Sequence, residues 1–396
     1  MRSGLALIAA MVSPALAWPA LAACTAQNTY SYSFNWASNT TLSYASTYTY
    51  TASNPLGANQ NFTTSFATND LSSSLVAGAQ MPAVHDLLSG AAGGRTLMIG
   101  GIFSGRTADI AANTRTIRTT FTFATPIRDL TISVHDVDFT GNQYRDWLMV
   151  TGSNGASTYI PSMVSPLGPN NNAGPASGGG ASMAFNGYNS GGVSVTSRDR
   201  SAGIGSSPNT NSNVGDIVVS FAEPVTSVTL RYGNYPFTAG ESATGQQAYG
   251  ISAITFCPMP NVAMTKTSAP LATTGPDRYN TPDSDIVYTL TVTNSGGSPV
   301  DLNGLVLVDT LPATMTFYNG DFDTGLPGTD PFLLTAGSSG VTLTAANVTY
   351  SNNGGSTFAY TPAAGYDTAV NAIRFAPGGS LAANSSFNIR FRSRVK

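Results

Sequence analysis

Residues 285–312 read D-I-V-Y-T-L-T-V-T-N-S-G-G-S-P-V-D-L-N-G-L-V-L-V-D-T-L-P, and they decide the fold class. Ile286, Tyr288, Leu290 and Val292 fall on one side of an extended chain, with Val287, Thr289, Thr291 and Thr293 on the other. A period of two is that of a half-buried β-strand. Residues 294–299, Asn-Ser-Gly-Gly-Ser-Pro, have turn chemistry, with Gly free to take positive φ and Pro fixing its own. A second strand is expected at 305–308, running into Asp309-Thr310-Leu311-Pro312. Asp309 is expected to cap the following turn through backbone N–H groups.

Working outward, 396 residues allow two or three domains. Only 9 % of the chain is charged, where about 25 % is usual for a soluble domain. Ser, Thr, Asn and Gly supply the polar surface instead, as suits the wet faces of strands. At 41 % hydrophobic and 10 % aromatic the chain has ample material for packed cores, which excludes a disordered protein. A net charge of −3 with scattered basic residues argues against nucleic acid as a partner. The one basic cluster is Arg390, Arg392, Arg394 and Lys396, alternating with Phe391, Ser393 and Val395. That pattern predicts a final strand with a solvated basic face, or a docking strip for an acidic polymer.

The stretch at 285–312 resembles the repeat domain of bacterial surface proteins, a domain of unknown function with the signature Y-T-[IL]-T-V-T-N-x-G followed by V-x-D-T-L-P. The resemblance begins at V-A-M-T-K-T from Val262 and closes with the L-x-x-x-x-S-x-x-[FI] hairpin from Leu381, so it spans 262–396. It implies an immunoglobulin-like sandwich of about seven strands serving as a spacer. Residues 133–139, 216–234 and 245–257 resemble, more loosely, the leading domain of secreted bacterial proteins that carry such repeats. No catalytic residue accompanies either resemblance.

Residues 1–23 read as a secretory signal: Arg2, an apolar run from Leu5 to Leu16, then small residues. No run is long enough for a transmembrane helix. Ala20-Leu21-Ala22 fits an ordinary cleavage site, while Leu21-Ala22-Ala23-Cys24 also fits a lipobox that would place a lipid on Cys24. The alternative is a Cys24–Cys257 disulfide, since two cysteines in an exported chain pair most simply with each other. Either way the expected location is secreted or cell-surface.

The expected organisation is therefore all-β: a jelly-roll-like sandwich at 24–257, a Pro-rich linker at 258–261 and the immunoglobulin-like domain at 262–396. The jelly-roll expectation rests on an internal echo, F-A-T-P-I-R-D-L-T-I at 123–132 answered by F-A-E-P-V-T-S-V-T-L at 221–230. Each is strand, Pro-led corner, strand, and such bends cross between packed sheets. Residues 168–215 are rich in Gly, Asn and Ser and read as a long loop. Residues 83–88 offer the one helical turn, with His85 and Asp86 as a surface pair.

Two constellations carry possible chemistry. Residues 135–147, H-D-V-D-F-T-G-N-Q-Y-R-D-W, are the densest set of ligand-type side chains. Asp136, Asp138, Asn142 and Asp146 would suit calcium, which takes oxygen ligands, yet Thr140 stands at one ligand position and no Glu follows. The competing reading is an ion pair of Arg145 with Asp136 or Asp138, and Trp147 covering the core. Tyr30, Tyr32 and Trp147 are candidates for stacking on sugar rings; the same residues also suit a core. Two histidines, His85 and His135, and the absence of any nucleophile elbow or zinc motif make a non-catalytic protein the expectation. The leading function is a structural or adhesive surface protein presenting loops of its first sandwich to a surface polysaccharide or another envelope protein. A carbohydrate-binding module, calcium-stabilised or not, is the alternative, and a carboxylate-based glycan hydrolase a more distant one.

Overall fold

The strand Thr116–His135 organises the first part of the molecule because its twenty residues serve two sets of neighbours in succession. Residues 116–123 pair with Asn59–Asn69 on one side and residues 116–122 with Val225–Asn234 on the other. After a register shift between Thr122 and Ile127, its second half runs between Gln246–Pro258 and Ile217–Ser220. The two echoed segments meet at Ile127 and Val225 and at Leu130 and Phe221, and each changes neighbours at its Pro-led corner. A bend of this kind lets one strand close a sandwich without leaving an edge.

The computed structural model describes residues 29–89, 93–140, 144–164, 172–173, 200–203, 215–235, 245–322 and 330–396. The expected signal at 1–23, Cys24, Asn142 and most of the loop at 168–215 lie outside the described residues. Within that loop, Arg200–Gly203 is a strand paired to Trp147–Met149 of Tyr144–Asn154. The described residues contain no α-helix, only two single-turn 3-10 helices. The fold is an all-β sandwich.

Two compact units divide at Asn261 and Val262, with Ser295–Ser298 counted in the first. In the first, Phe62, Phe121, Leu230, Tyr232 and Leu148 share one core cluster with Ile99, Val134, Tyr249, Ile251 and Phe256. The helical turn expected at 83–88 is not there. Ala83–His85 is a strand held between Thr40–Thr41 and Thr96–Phe103, since ladder pairing on both sides outweighs local propensity. His85 and Asp86 do meet at the surface, 2.9 Å apart.

In the second unit, Asp285–Asn294 lies between Val262–Pro270 and Ser385–Val395. Leu290 and Val292 are buried in the core with Phe317, Phe387 and Ile389, while Thr293 is exposed, as the alternation requires. Val287 departs from the pattern and is also buried. The second strand is Leu307–Thr310, two residues later than expected, because residues 301–304 turn, with Asn303 at φ 56°. It pairs with Ala372–Phe375 in a separate three-stranded sheet.

Two polar expectations in this unit are corrected. Asp309 is an ion-pair partner, not a turn cap: Lys266 Nζ donates to its Oδ2 at 2.8 Å. The basic tail is not a simple solvated face. Arg392 and Arg394 both bond the fully buried carboxylate of Asp285, with Tyr366 donating to the same group. Arg394 also lies over the Tyr366 ring and Arg392 over Tyr318. A buried carboxylate demands such donors, so Arg392 and Arg394 are engaged by it, while Arg390 lies over Phe322.

Candidate functional site

Where Thr116–His135 ends, the chain must leave the sheet sharply, and Asp136 does so at φ 66°, a conformation Asp tolerates better than most residues. Val137 N–H then donates to Gly215 O at 3.1 Å. Phe139–Thr140 turns back to pair with Tyr144 and Arg145. Asp146 is fully buried; one of its oxygens accepts a short bond from the Tyr232 hydroxyl, and Oδ2 accepts from Asp138 N at 3.1 Å. Burial pushes the Asp146 carboxyl well above the usual range, and the Asp138 charge adds to this. Both oxygens are therefore occupied by the protein itself.

Of the expected calcium set, Asn142 lies outside the described residues, and Asp146 is already held by Tyr232 and the Asp138 N–H. Among the described residues no group of three or more His, Cys, Asp or Glu side chains is placed to hold a metal ion. Asp146 turns inward toward Tyr232, on a strand whose register fixes that direction. Asp136 is partly buried and its carboxyl is pushed up to about 7 by desolvation, with Asp216 adding and His135 opposing. Arg145 is fully buried.

The expected aromatic platform is corrected as well. Tyr32 is buried and stacks on Phe256, ring centroids 5.6 Å apart and 7° from parallel. Trp147 is buried and edge-on to Tyr235. Tyr30 is half-buried. None of this leaves a flat surface for a sugar at those residues.

Two arrangements were not read from the sequence. The first is a cleft of about 220 Å³ lined by Phe34, Trp36, Tyr50 and Val84, with Asn35, Ser38 and Thr40 at its polar edge. Trp36 meets Phe34 at 4.8 Å and Tyr50 at 5.0 Å, both edge to face. Its indole N–H is buried and has no hydrogen-bond partner among the described residues. The alternation Tyr32, Phe34, Trp36 was the available signal, but period alone does not say which ring stands at an open end.

The second joins His135, Asp216 and Ser252. His135 Nδ1 lies 2.7 Å from Asp216 Oδ1, and its Nε2 lies 2.7 Å from Ser252 Oγ. His135 is buried and Ser252 half-buried. The three come from the end of one strand, the residue just before a second and the middle of a third, at spacings that match no local motif.

The chain matches no known protein family, no curated protein and no solved structure.

Proposed function

We propose that this chain is an exported bacterial cell-surface protein with an adhesive role, whose first unit contacts a neutral polysaccharide through the Phe34–Trp36–Tyr50 cleft. The observation that carries this is the pair of half-buried rings, Phe34 and Tyr50, that line the cleft beside Trp36. A sugar ring's C–H face would pack on Phe34 and Tyr50, and Asn35, Ser38 and Thr40 would meet its hydroxyls. No charged residue lines the cleft, which favours a neutral sugar over an acidic one. Its volume is below the roughly 300–1,000 Å³ of drug-sized pockets, so it suits one terminal ring with the rest of the glycan outside.

The second unit acts as the spacer, the role its resemblance to surface repeats implies. The signal at 1–23 and a Cys24–Cys257 disulfide belong to the same proposal. In favour of that bond, Cys257 is buried near the end of Gln246–Pro258, whose Phe256 is paired with Tyr32, eight residues after Cys24. No described cysteine is a free thiol.

Titration of the purified mature protein with a panel of neutral and uronic-acid oligosaccharides, followed by tryptophan fluorescence, tests the proposal. At least one neutral member should bind. Tyr50→Ala should weaken it tenfold or more (about 1.4 kcal/mol), and Tyr50→Phe should retain it. Binding that is absent for every neutral saccharide, or unchanged in Tyr50→Ala, rejects the cleft.

A further inference from the structure

We infer that Ser252, His135 and Asp216 form a nucleophile, base and orienting carboxylate for acyl transfer, and that the first unit hydrolyses esters of small acyl groups. This goes beyond the adhesive role and departs from the sequence expectation of no catalytic centre.

Two independent features carry it. The first is connectivity: a serine hydroxyl on one imidazole nitrogen and a carboxylate on the other, both at 2.7 Å. That is the order of roles in which a histidine removes the serine proton while the carboxylate fixes its tautomer and stabilises the imidazolium. A histidine kept only for packing needs neither partner to be a nucleophile.

The second feature is where Ser252 sits in its strand. The ladder with Thr96–Phe103 ends at Ile251, and the ladder with Tyr32–Asn35 begins at Ala253. On the other side, Ile132 pairs with Ile254 and Val134 with Ile251, so Ser252 and Ala253 together face Ser133. Ser252 is thus in a β-bulge and takes no part in any of these ladders. Bulges release a backbone N–H from the ladder and re-aim a side chain, and they are enriched beside active sites. An N–H released by the bulge would be of the kind that stabilises an oxyanion.

The reaction balances without a cofactor. Ser252 Oγ bonds to the ester carbonyl carbon as its proton passes to His135 Nε2. The tetrahedral species then breaks its bond to the alcohol oxygen, which takes that proton from His135. Water, deprotonated by His135, attacks the acyl-serine, and the carboxylic acid leaves as the proton returns to Ser252 Oγ. Asp216 is a positioning residue throughout. Ser252 is half-buried, which admits an acetyl-sized group more readily than a long chain.

The test uses the purified full-length mature protein with a fluorophosphonate probe and p-nitrophenyl acetate. Peptide mapping should find the phosphonyl adduct on Ser252. Hydrolysis should exceed buffer and fall at least about 100-fold in Ser252→Ala. Asp216→Asn should lower kcat with little change in KM and move the pH profile, because Asp216 contacts His135 directly and Asp136, whose carboxyl is pushed up to about 7 by burial, lies beside both. A Ser252 that stays unmodified under excess probe in folded wild-type protein overturns the inference, whatever hydrolysis is seen. So does labelling that proceeds equally in His135→Gln; if that variant does not fold, a pH-independent labelling rate in wild type overturns it instead. Glycan binding is read separately through Tyr50, so either proposal can fail without the other.

Discussion

Lys266 Nζ stands 2.8 Å from Asp309 Oδ2 and 4.0 Å from the centre of the Tyr288 ring, joining the first strand of the second unit to its D-T-L-P segment. The Asp309 side chain is nearly buried, whereas a quarter of the Lys266 side chain remains exposed. The consequence is an asymmetry. Lys266→Met strands a buried carboxylate and should cost about 1–3 kcal/mol. Asp309→Asn leaves an ammonium that water can still reach and should cost less. All three tryptophans precede residue 262, so the readout is hydrogen exchange of Val262–Pro270. Faster exchange in Asp309→Asn than in Lys266→Met would contradict this account.

Acid should act on the second unit through Asp285. Burial alone would raise its carboxyl, but hydrogen bonds from Arg394, Tyr366 and Arg392 outweigh that and hold it below the ordinary range. A carboxyl depressed on folding contributes stability that is present above its unfolded pKa and lost as pH falls through the folded one. Loss of strand protection in Ser385–Val395 should therefore begin in the ordinary aspartate range and continue below it. Asp285→Asn should flatten that dependence while lowering protection at pH 7.

The first unit should respond in the opposite sense. Desolvation pushes Asp136 up to about 7, with Asp216 adding to the effect and His135 opposing it. A carboxyl raised on folding favours the native state at low pH, and the benefit disappears as pH rises through the folded value. Urea midpoints followed by tryptophan fluorescence should fall between pH 5 and 8, and less steeply in Asp136→Asn. A midpoint that climbs over this interval in wild type but not in the variant would refute the assignment.

Tyr232→Phe removes the hydroxyl that Asp146 accepts from, in a fully buried pair. The loss should be about 1–3 kcal/mol, visible as a lower urea midpoint with an unchanged slope. An unaltered midpoint would mean that Asp146 does not depend on this bond.

Gly215 has φ +83°, and a Cβ there would lie 2.8 Å from Val137 N. Gly215→Ala meets both backbone strain and a backbone clash that no rotamer relieves, and should cost about 1–3 kcal/mol. Because Asp216 follows directly, the variant should also slow labelling of Ser252. Unchanged stability would show that the turn opens freely.

What the sequence determined by itself was what local chemistry writes into short stretches. The alternation at 286–292 and the turn at 294–299 required strands and a hairpin, since side-chain period and backbone freedom are properties of neighbouring residues. The echo at 123–132 and 221–230 announced corners for the same reason. Direction at long range was not written there. Whether Tyr32 and Trp147 face solvent or core, and whether Asp146 turns to an ion or to Tyr232, depends on which sheet lies opposite. Asp309 could be seen as a motif acid, but its partner arrives from 43 positions earlier. His135, Asp216 and Ser252 show the limit most plainly. Each is unremarked in its own segment, and only antiparallel pairing of three distant strands, with a bulge to set the register, brings an imidazole between a carboxylate and a hydroxyl.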